Sequence, residues 1–426
     1  MKIAAILAAV STLVLAVPSL AQEVRQVIHA GHVIRDVDSG FDGPATITVE
    51  NGRIVAIEDG WQPVPAGAEL IDLSGKTVMP GLIDLHVHLD GNPGGDFRDA
   101  AVESDEWATL TGAVNARTTL AAGFTTVRDV GSYPQSMFAV RRAVAEAAFP
   151  GPRILASGPP LAIIGGHGDV SGFRPEVNDA LDTGFTCTGP AECAARVRQA
   201  AQNGSDWIKI TATGGVLSQQ GRGLEAHFTR PEMEAIVEAA SALGLEVAAH
   251  AHGARGIEAA ANAGIRTIEH GTYLDRGALD AMQAHDTVLV PTLMAFQGVI
   301  ERLGTGVYTP TVEAKIRQVA EIVGQQVREA HRRGITIAFG TDAGVFEHGR
   351  NAGEFALLVQ AGMSDREAVA SATTVAARVL HMENEIGRLA PGYSADMIAL
   401  DGNPLENAAL LEEVDWAMAR GRALAD

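Results

Sequence analysis

Residues 27–34, 45–50 and 53–57 are short strand-like runs rich in Val, Ile and Ala, set between polar turns. Asn51-Gly52 separates the last two and carries the dipeptide of a type I′ hairpin, in which both central residues take positive φ. The far end of the chain has the same pattern, with 395–400 after a Pro391-Gly392 turn and 416–419 after a helical stretch. These runs predict antiparallel elements, with residues 22–80 and 385–426 joining into one small β-sandwich built from both chain ends. Between them, in 81–384, short apolar runs alternate with helical stretches such as 231–243 and 365–380, the pattern of βα units around a parallel sheet. Eight strand candidates are found, at 82–87, 125–130, 153–157, 207–211, 246–250, 266–270, 288–291 and 335–340. Eight is the number that closes a (β/α)8 TIM barrel, so the fold class is α/β. An open doubly wound sheet is the competing fold, but no Gly-rich phosphate loop follows the first strand.

The first residues change the picture of where the chain works. Lys2, an apolar run over 3–17 and the small-x-small Ser19-Leu20-Ala21 read as a signal peptide, residues 1–21, with cleavage near Ala21. The run is shorter than the ~20 residues of a spanning helix, so a retained anchor is the lesser reading. A periplasmic or secreted enzyme with no membrane span in its mature chain is expected. The remaining length exceeds one ordinary domain and suits a barrel of ~250 residues or more plus a smaller unit. A formal charge of −20 argues against nucleic acid and anionic membranes as partners, though not against a small anionic substrate in a locally positive cleft. Cys187 and Cys193 are the only cysteines. In an oxidising compartment they favour a local disulfide over two buried thiols, and two cysteines cannot supply the four ligands of a structural zinc site.

Side chains at the carboxyl ends of barrel strands converge on one face, however far apart they lie in sequence. The metal-binding residue types fall at such ends. His86 and His88 close the first strand as His-Val-His, Lys209 lies on the fourth, His250 ends the fifth, His270 ends the sixth and Asp342 follows the eighth. A His-x-His on a strand puts both imidazoles on one side, so they can grip one ion. Neutral imidazole and carboxylate oxygen suit zinc, with a position left for water. His252 shares the parity of His250 and is a candidate substrate contact, with a role in supporting the ligands as the alternative. His29, His32, His227, His285, His331 and His381 lack strand-end placement and default to structure or surface.

The run Pro80-Gly81-Leu82-Ile83-Asp84-Leu85-His86-Val87-His88 and the run from Gly387 through Pro391-Gly392 to Asp396 resemble the entry to and exit from the barrel in the amidohydrolase superfamily. Trp207-Ile208-Lys209-Ile210, Ala249-His250-Ala251-His252-Gly253 and Ile268-Glu269-His270-Gly271-Thr272 are similar to its microbial prolidase-like branch of Xaa-Pro dipeptidases, carboxypeptidase-like enzymes and ochratoxin amidohydrolases. The resemblance implies a binuclear centre of two divalent ions, zinc by donor type, in which Lys209, carboxylated by CO2, is shared. His86, His88 and Asp342 would hold one ion, and His250 and His270 the other. It implies hydrolysis by a metal-bridging hydroxide, with Asp342 as base, of N-acyl amino acids or dipeptides that carry a free carboxylate. It also suggests a homo-oligomer, an octamer among the possible forms. His167, in a Gly-rich loop, resembles the branch's substrate-side histidine, with a surface histidine as the alternative. Tyr273 and Arg128 are further candidates for the substrate carboxylate, against packing of Tyr273 and a salt bridge from Arg128 to Asp129 or Glu103. His348 and the segment after it look like support for the site rather than catalytic groups.

Two other functions fit parts of this pattern. A mononuclear deaminase of the same superfamily would not need the bridging anion of Lys209; a hydrolase of cyclic amides or lactones from that superfamily is a further alternative. A non-catalytic metal-binding scaffold would not need Asp342 or the substrate-side histidines.

Overall fold

The computed structural model describes residues 25–93, 98, 101–219, 221 and 223–425; the signal-peptide reading lies outside them. The strands are β1 (Gln26–Val33), β2 (Ala45–Glu50), β3 (Arg53–Asp59), β4 (Glu69–Pro80), β5 (Leu82–Val87), β6 (Phe124–Asp129) and β7 (Arg153–Ala156), then β8 (Ile208–Thr211), β9 (Val247–Ala251), β10 (Thr267–His270), β11 (Val288–Val290), β12 (Met397–Leu400), β13 (Trp416–Ala419) and β14 (Arg422–Ala423). Among the described residues, no helix is long and apolar enough to cross a membrane.

Both chain ends meet in a single seven-stranded sheet in the order β14-β13-β12-β4-β1-β2-β3. It has its own core, including Ile28, Ile47, Ile54, Val78, Met397 and Met418. Asn51 and Gly52 both take positive φ, as the hairpin between β2 and β3 requires. The sheet is not wholly antiparallel, as the sequence pattern predicts, because β4 inserts between β1 and β12 and runs parallel to β1. The β1–β4 ladder shifts register between Ala30 and His32, where the chains approach so closely that a Cβ at Gly31 would lie 2.3 Å from Ser74 O.

The barrel is a ring of two parallel sheets, β5-β6-β7 and β8-β9-β10-β11, joined at two seams. At the first, Asp206 N donates to Ala156 O and Leu161 N to Lys209 O, each at 2.8 Å. At the second, residues 335–340 take the eighth place without forming a regular strand. Ile337 bridges Leu289, Leu85 N donates to Phe339 O at 3.0 Å, and Phe339 N turns away to Ser371 O instead of extending a ladder. Strand side chains alternate between two environments. Ile208, Ile210, Ala249 and Leu289 join the large core beneath the helices, whereas Ile83, Leu85, Ala248, Val288, Val290 and Ala338 form a separate interior cluster. His250 shares the parity of Ala248 and so faces inward. A register shift between Asp84 and Val87 in β5 re-aims His86 and His88 inward as well. Cys187 and Cys193 form a disulfide.

Candidate metal centre and active site

His86, His88, Lys209, His250, His252, His270 and Asp342 line one cavity of about 260 Å3 at the carboxyl ends of the barrel strands. Asp342 Oδ1 lies 3.4 Å from His86 Nε2 and 3.1 Å from His88 Nε2. The ligand atoms of these three lie within 4.8 Å of one another, as do those of His250, His252 and His270. The two groups adjoin: the His86 and His270 rings are 5.2 Å apart and the His250 and His270 rings 4.6 Å apart. His270 and Asp342 both take left-handed φ, +70° and +63°, a local cost that concentrates at functional sites.

The partners of these histidines leave one nitrogen of each ring for an ion. His86 Nδ1 donates to Glu269 Oε2 at 2.7 Å, and His88 Nδ1 donates to Gly131 O at 2.7 Å. His270 Nδ1 meets Thr292 Oγ1 at 2.6 Å; because that hydroxyl already donates to Pro291 O, it accepts from the ring. Each ring therefore has its Nδ1 engaged and its Nε2 left for the cavity. His250 is reversed, with Nε2 donating to Gly214 O at 3.3 Å and Nδ1 left over. Burial and neighbouring positive groups hold His250 and His270 well below the usual histidine range, so both are neutral. Burial would raise the carboxyl of Asp342, but His86 and His88 outweigh it and hold the group well below the usual carboxylate range.

Lys209 is buried and lines the same cavity, and among the described residues its Nζ has no hydrogen-bond or ion-pair partner. Burial lowers its ammonium to about 8. An unpartnered amine beside metal-binding groups, together with imidazoles presenting free nitrogens, fits a divalent-cation site better than a structural lysine. His252 lies in the same cluster as His250 and His270, with its Nδ1 2.6 Å from Thr272 Oγ1. His167 also lines the cavity, its ring 4.2 Å from that of His250 and its Nδ1 2.7 Å from Ser218 Oγ.

Two of the sequence candidates stand elsewhere. Arg128 is wholly buried behind the cavity wall, where it donates to Leu85 O at 2.6 Å and Glu269 Oε1 at 2.9 Å and stacks 4.5 Å over Trp207. Its carboxylate is therefore Glu269, not a substrate, and neither Asp129 nor Glu103. Tyr273 packs against the apolar cluster of Val216, Leu224 and Phe296 and is not among the cavity-lining residues. His348 supports the site from outside, with Nε2 3.1 Å from the carbonyl of His88.

Sequence reasoning missed Glu269 and Asp84. Glu269 binds His86, Arg128 and Thr267 at once; burial opposes its ionisation, but Arg128 and His86 hold the carboxyl down at about 2. Asp84 is wholly buried and accepts from His86 N, Thr341 Oγ1 and Asn351 Nδ2 at 3.0, 2.6 and 2.9 Å, tying the first strand to the segment that bears Asp342. Their signal was an acid inside an apolar strand next to a ligand histidine.

The cavity thus joins this polar cluster to an apolar lining of Val216, Leu217, Ala295, Phe296, Val299 and Val345. That arrangement can hold a cation pair against a substrate with an apolar flank. Residues 77–424 match the amidohydrolase family. The chain is 31% identical to the ochratoxinase of Aspergillus niger over 356 residues, spanning 79% of this chain and 72% of that protein. Among solved structures it is similar to a Xaa-Pro dipeptidase with methionine bound in the active site, at TM-score 0.87 and 36% identity, covering 94% of this chain and all of the other. It is also similar to a prolidase complexed with N-methylphosphonate-L-proline, at TM-score 0.85 and 31% identity, covering 94% and 99%. The chain belongs to the amidohydrolase family, in its prolidase-like branch, and is a hydrolase of amide or peptide bonds.

Proposed function

We propose that the protein is a binuclear metal enzyme that cleaves N-acyl amino acids or dipeptides with a free carboxylate beside the scissile bond. The observation that carries this reading is that two groups of potential ligands, His86–His88–Asp342 and His250–His252–His270, line one cavity together with the buried, unpartnered Lys209. His86, His88 and Asp342 would hold one ion and His250 and His270 the other. The neutral amine of Lys209 would add to CO2, forming an N–C bond and releasing a proton, and the resulting carbamate anion would be shared. A divalent pair so held, zinc by its donors, would supply an activated water at neutral pH and polarise the scissile carbonyl.

Asp342 takes the proton of the attacking water and delivers it to the departing nitrogen. His252 and His167 donate to the substrate's carbonyl and carboxylate, the role that Arg128 and Tyr273 do not share. The flanking side chain lies against Phe296 and Val299. Similarity to a Xaa-Pro dipeptidase, a prolidase and an ochratoxinase supports the substrate class, with amide cleavage of ochratoxin A within its range. Export after cleavage near Ala21, and assembly as a homo-oligomer, belong to the same proposal.

The test compares N-acyl amino acids with their methyl esters and amides on metal-loaded enzyme. A site that hydrogen-bonds the carboxylate rejects the blocked analogue, because its buried donors are left unpaired. Equal kcat/KM for free and blocked substrates, or faster cleavage of lactones or cyclic ureides, would defeat the substrate assignment. The competitor is a mononuclear deaminase, which needs no bridging anion. One ion per chain, kept in Lys209→Ala, would decide for it.

A further inference from the structure

Lys315 lies on the inner face of the helix Pro310–Ala320, among Val312, Ile316 and Val319, and is buried. Its Nζ donates to Gly215 O at 2.8 Å and Ser218 O at 2.6 Å. A buried lysine is costly to keep unless its ammonium is hydrogen-bonded, and burial lowers this one to about 8; the two carbonyls are among the partners that hold it. They lie in a turn, closed by Ser218 N donating to Gly215 O at 3.3 Å, that carries Val216 and Leu217 into the cavity. Ser218 Oγ meets His167 Nδ1 at 2.7 Å, and the His167 ring lies against Gly215 so closely that a Cβ there would be 2.2 Å from it. Thr309, which precedes the same helix, adds a bond from Oγ1 to Gln219 Oε1 at 3.1 Å.

We infer that Lys315 is a positioning residue for substrate binding: it fixes the 215–218 turn, and through Ser218 it fixes which nitrogen His167 presents to the cavity. With both turn carbonyls drawn outward to Lys315, the side chains of Val216 and Leu217 face in, and with Nδ1 of His167 engaged, Nε2 is the nitrogen left for a ligand. Lys315 touches no cavity surface itself and needs no part in bond breaking. The inference rests on the reading of His167 as a substrate contact, and the turn-fixing half stands without it.

The experiment uses full-length metal-loaded enzyme with Lys315→Met, Lys315→Gln, Ser218→Ala and the double variant Lys315→Met/Ser218→Ala. Hydrogen exchange of the backbone over 213–219 should speed up about tenfold or more in Lys315→Met and less in Lys315→Gln, which keeps a donor. On the best N-acyl amino acid substrate, KM should rise roughly tenfold in Lys315→Met and in Ser218→Ala, with kcat within about twofold, and the double variant should be no worse than the poorer single. Unchanged exchange over 213–219 overturns the turn-fixing role. Additive KM effects, or a fall in kcat with KM constant, overturn the relay through Ser218. If the wild type cleaves no carboxylate-bearing amide, the proposed substrate has failed while the exchange measurement still decides on Lys315; if Lys315→Met is too unstable to load metal, Ser218→Ala and Lys315→Gln carry the same comparison.

Discussion

Glu269 holds His86 by a 2.7 Å bond from its Oε2 while its Oε1 holds Arg128 at 2.9 Å, so one wholly buried carboxylate orients a ligand ring and neutralises a guanidinium. In Glu269→Gln, metal affinity should fall roughly 10–100-fold, the usual cost of losing a ligand's outer partner. The fold should also lose about 3–5 kcal/mol, because Arg128 stays buried without its counter-charge. Zinc titration of stripped protein and urea unfolding measure the two effects, and wild-type affinity would show that His86 is oriented by something else.

Lys209→Ala should keep the fold, read by far-ultraviolet circular dichroism, but lose most activity and at least one of the two ions. In the wild type, 13C-labelled bicarbonate should give a carbamate signal that this variant lacks. Two retained ions with normal turnover would exclude a bridging Lys209.

Replacing Asp342 with Asn leaves an oxygen able to ligate weakly but removes the proton carrier. Turnover should drop by roughly 10²–10⁴-fold with part of the metal retained. A variant that is fully loaded and near wild type in kcat would take Asp342 out of the proton path.

Gly131 accepts from His88 through its carbonyl, and a Cβ on it would lie 2.8 Å from His88 Cε1. Gly131→Ala should therefore push the ring off its position, costing about 1–3 kcal/mol by overpacking and weakening metal binding. A crystal structure of the variant with His88 undisplaced would contradict this.

The strand ends were readable because two periods coincide there: alternation along a strand, and convergence of all strands on one face of a barrel. His86, His88, Lys209, His250, His270 and Asp342 could be placed together from that geometry, and the structure puts all six in one cavity. The residues misread were those whose role depends on a neighbour from another strand. Arg128 looks like an anion binder in one dimension, and only its reach from β6 to β10, in the other parallel sheet, reveals Glu269 as its partner. Lys315 carries no signal in the sequence, because the carbonyls it holds lie in the distant 215–218 turn. β4 escaped notice because its first half is largely exposed, it contains Ser74-Gly75, and it ends on Pro80. The eighth strand was legible as apolar sequence, but its irregular pairing was not, since Phe339 N goes to Ser371.

The seating of β4 between β1 and β12 also sets an order of events during synthesis. Pro80, the last residue of β4, pairs with Met397, and β5 with His86 and His88 follows almost at once. As the chain leaves the ribosome, the segment that anchors the first ligand pair has its inner neighbour but not its outer one until nearly all of the barrel has been made. Contacts that span so much of the chain close slowly. Until those final strands dock, the folding chain therefore carries a half-built, histidine-rich barrel with an open sheet edge.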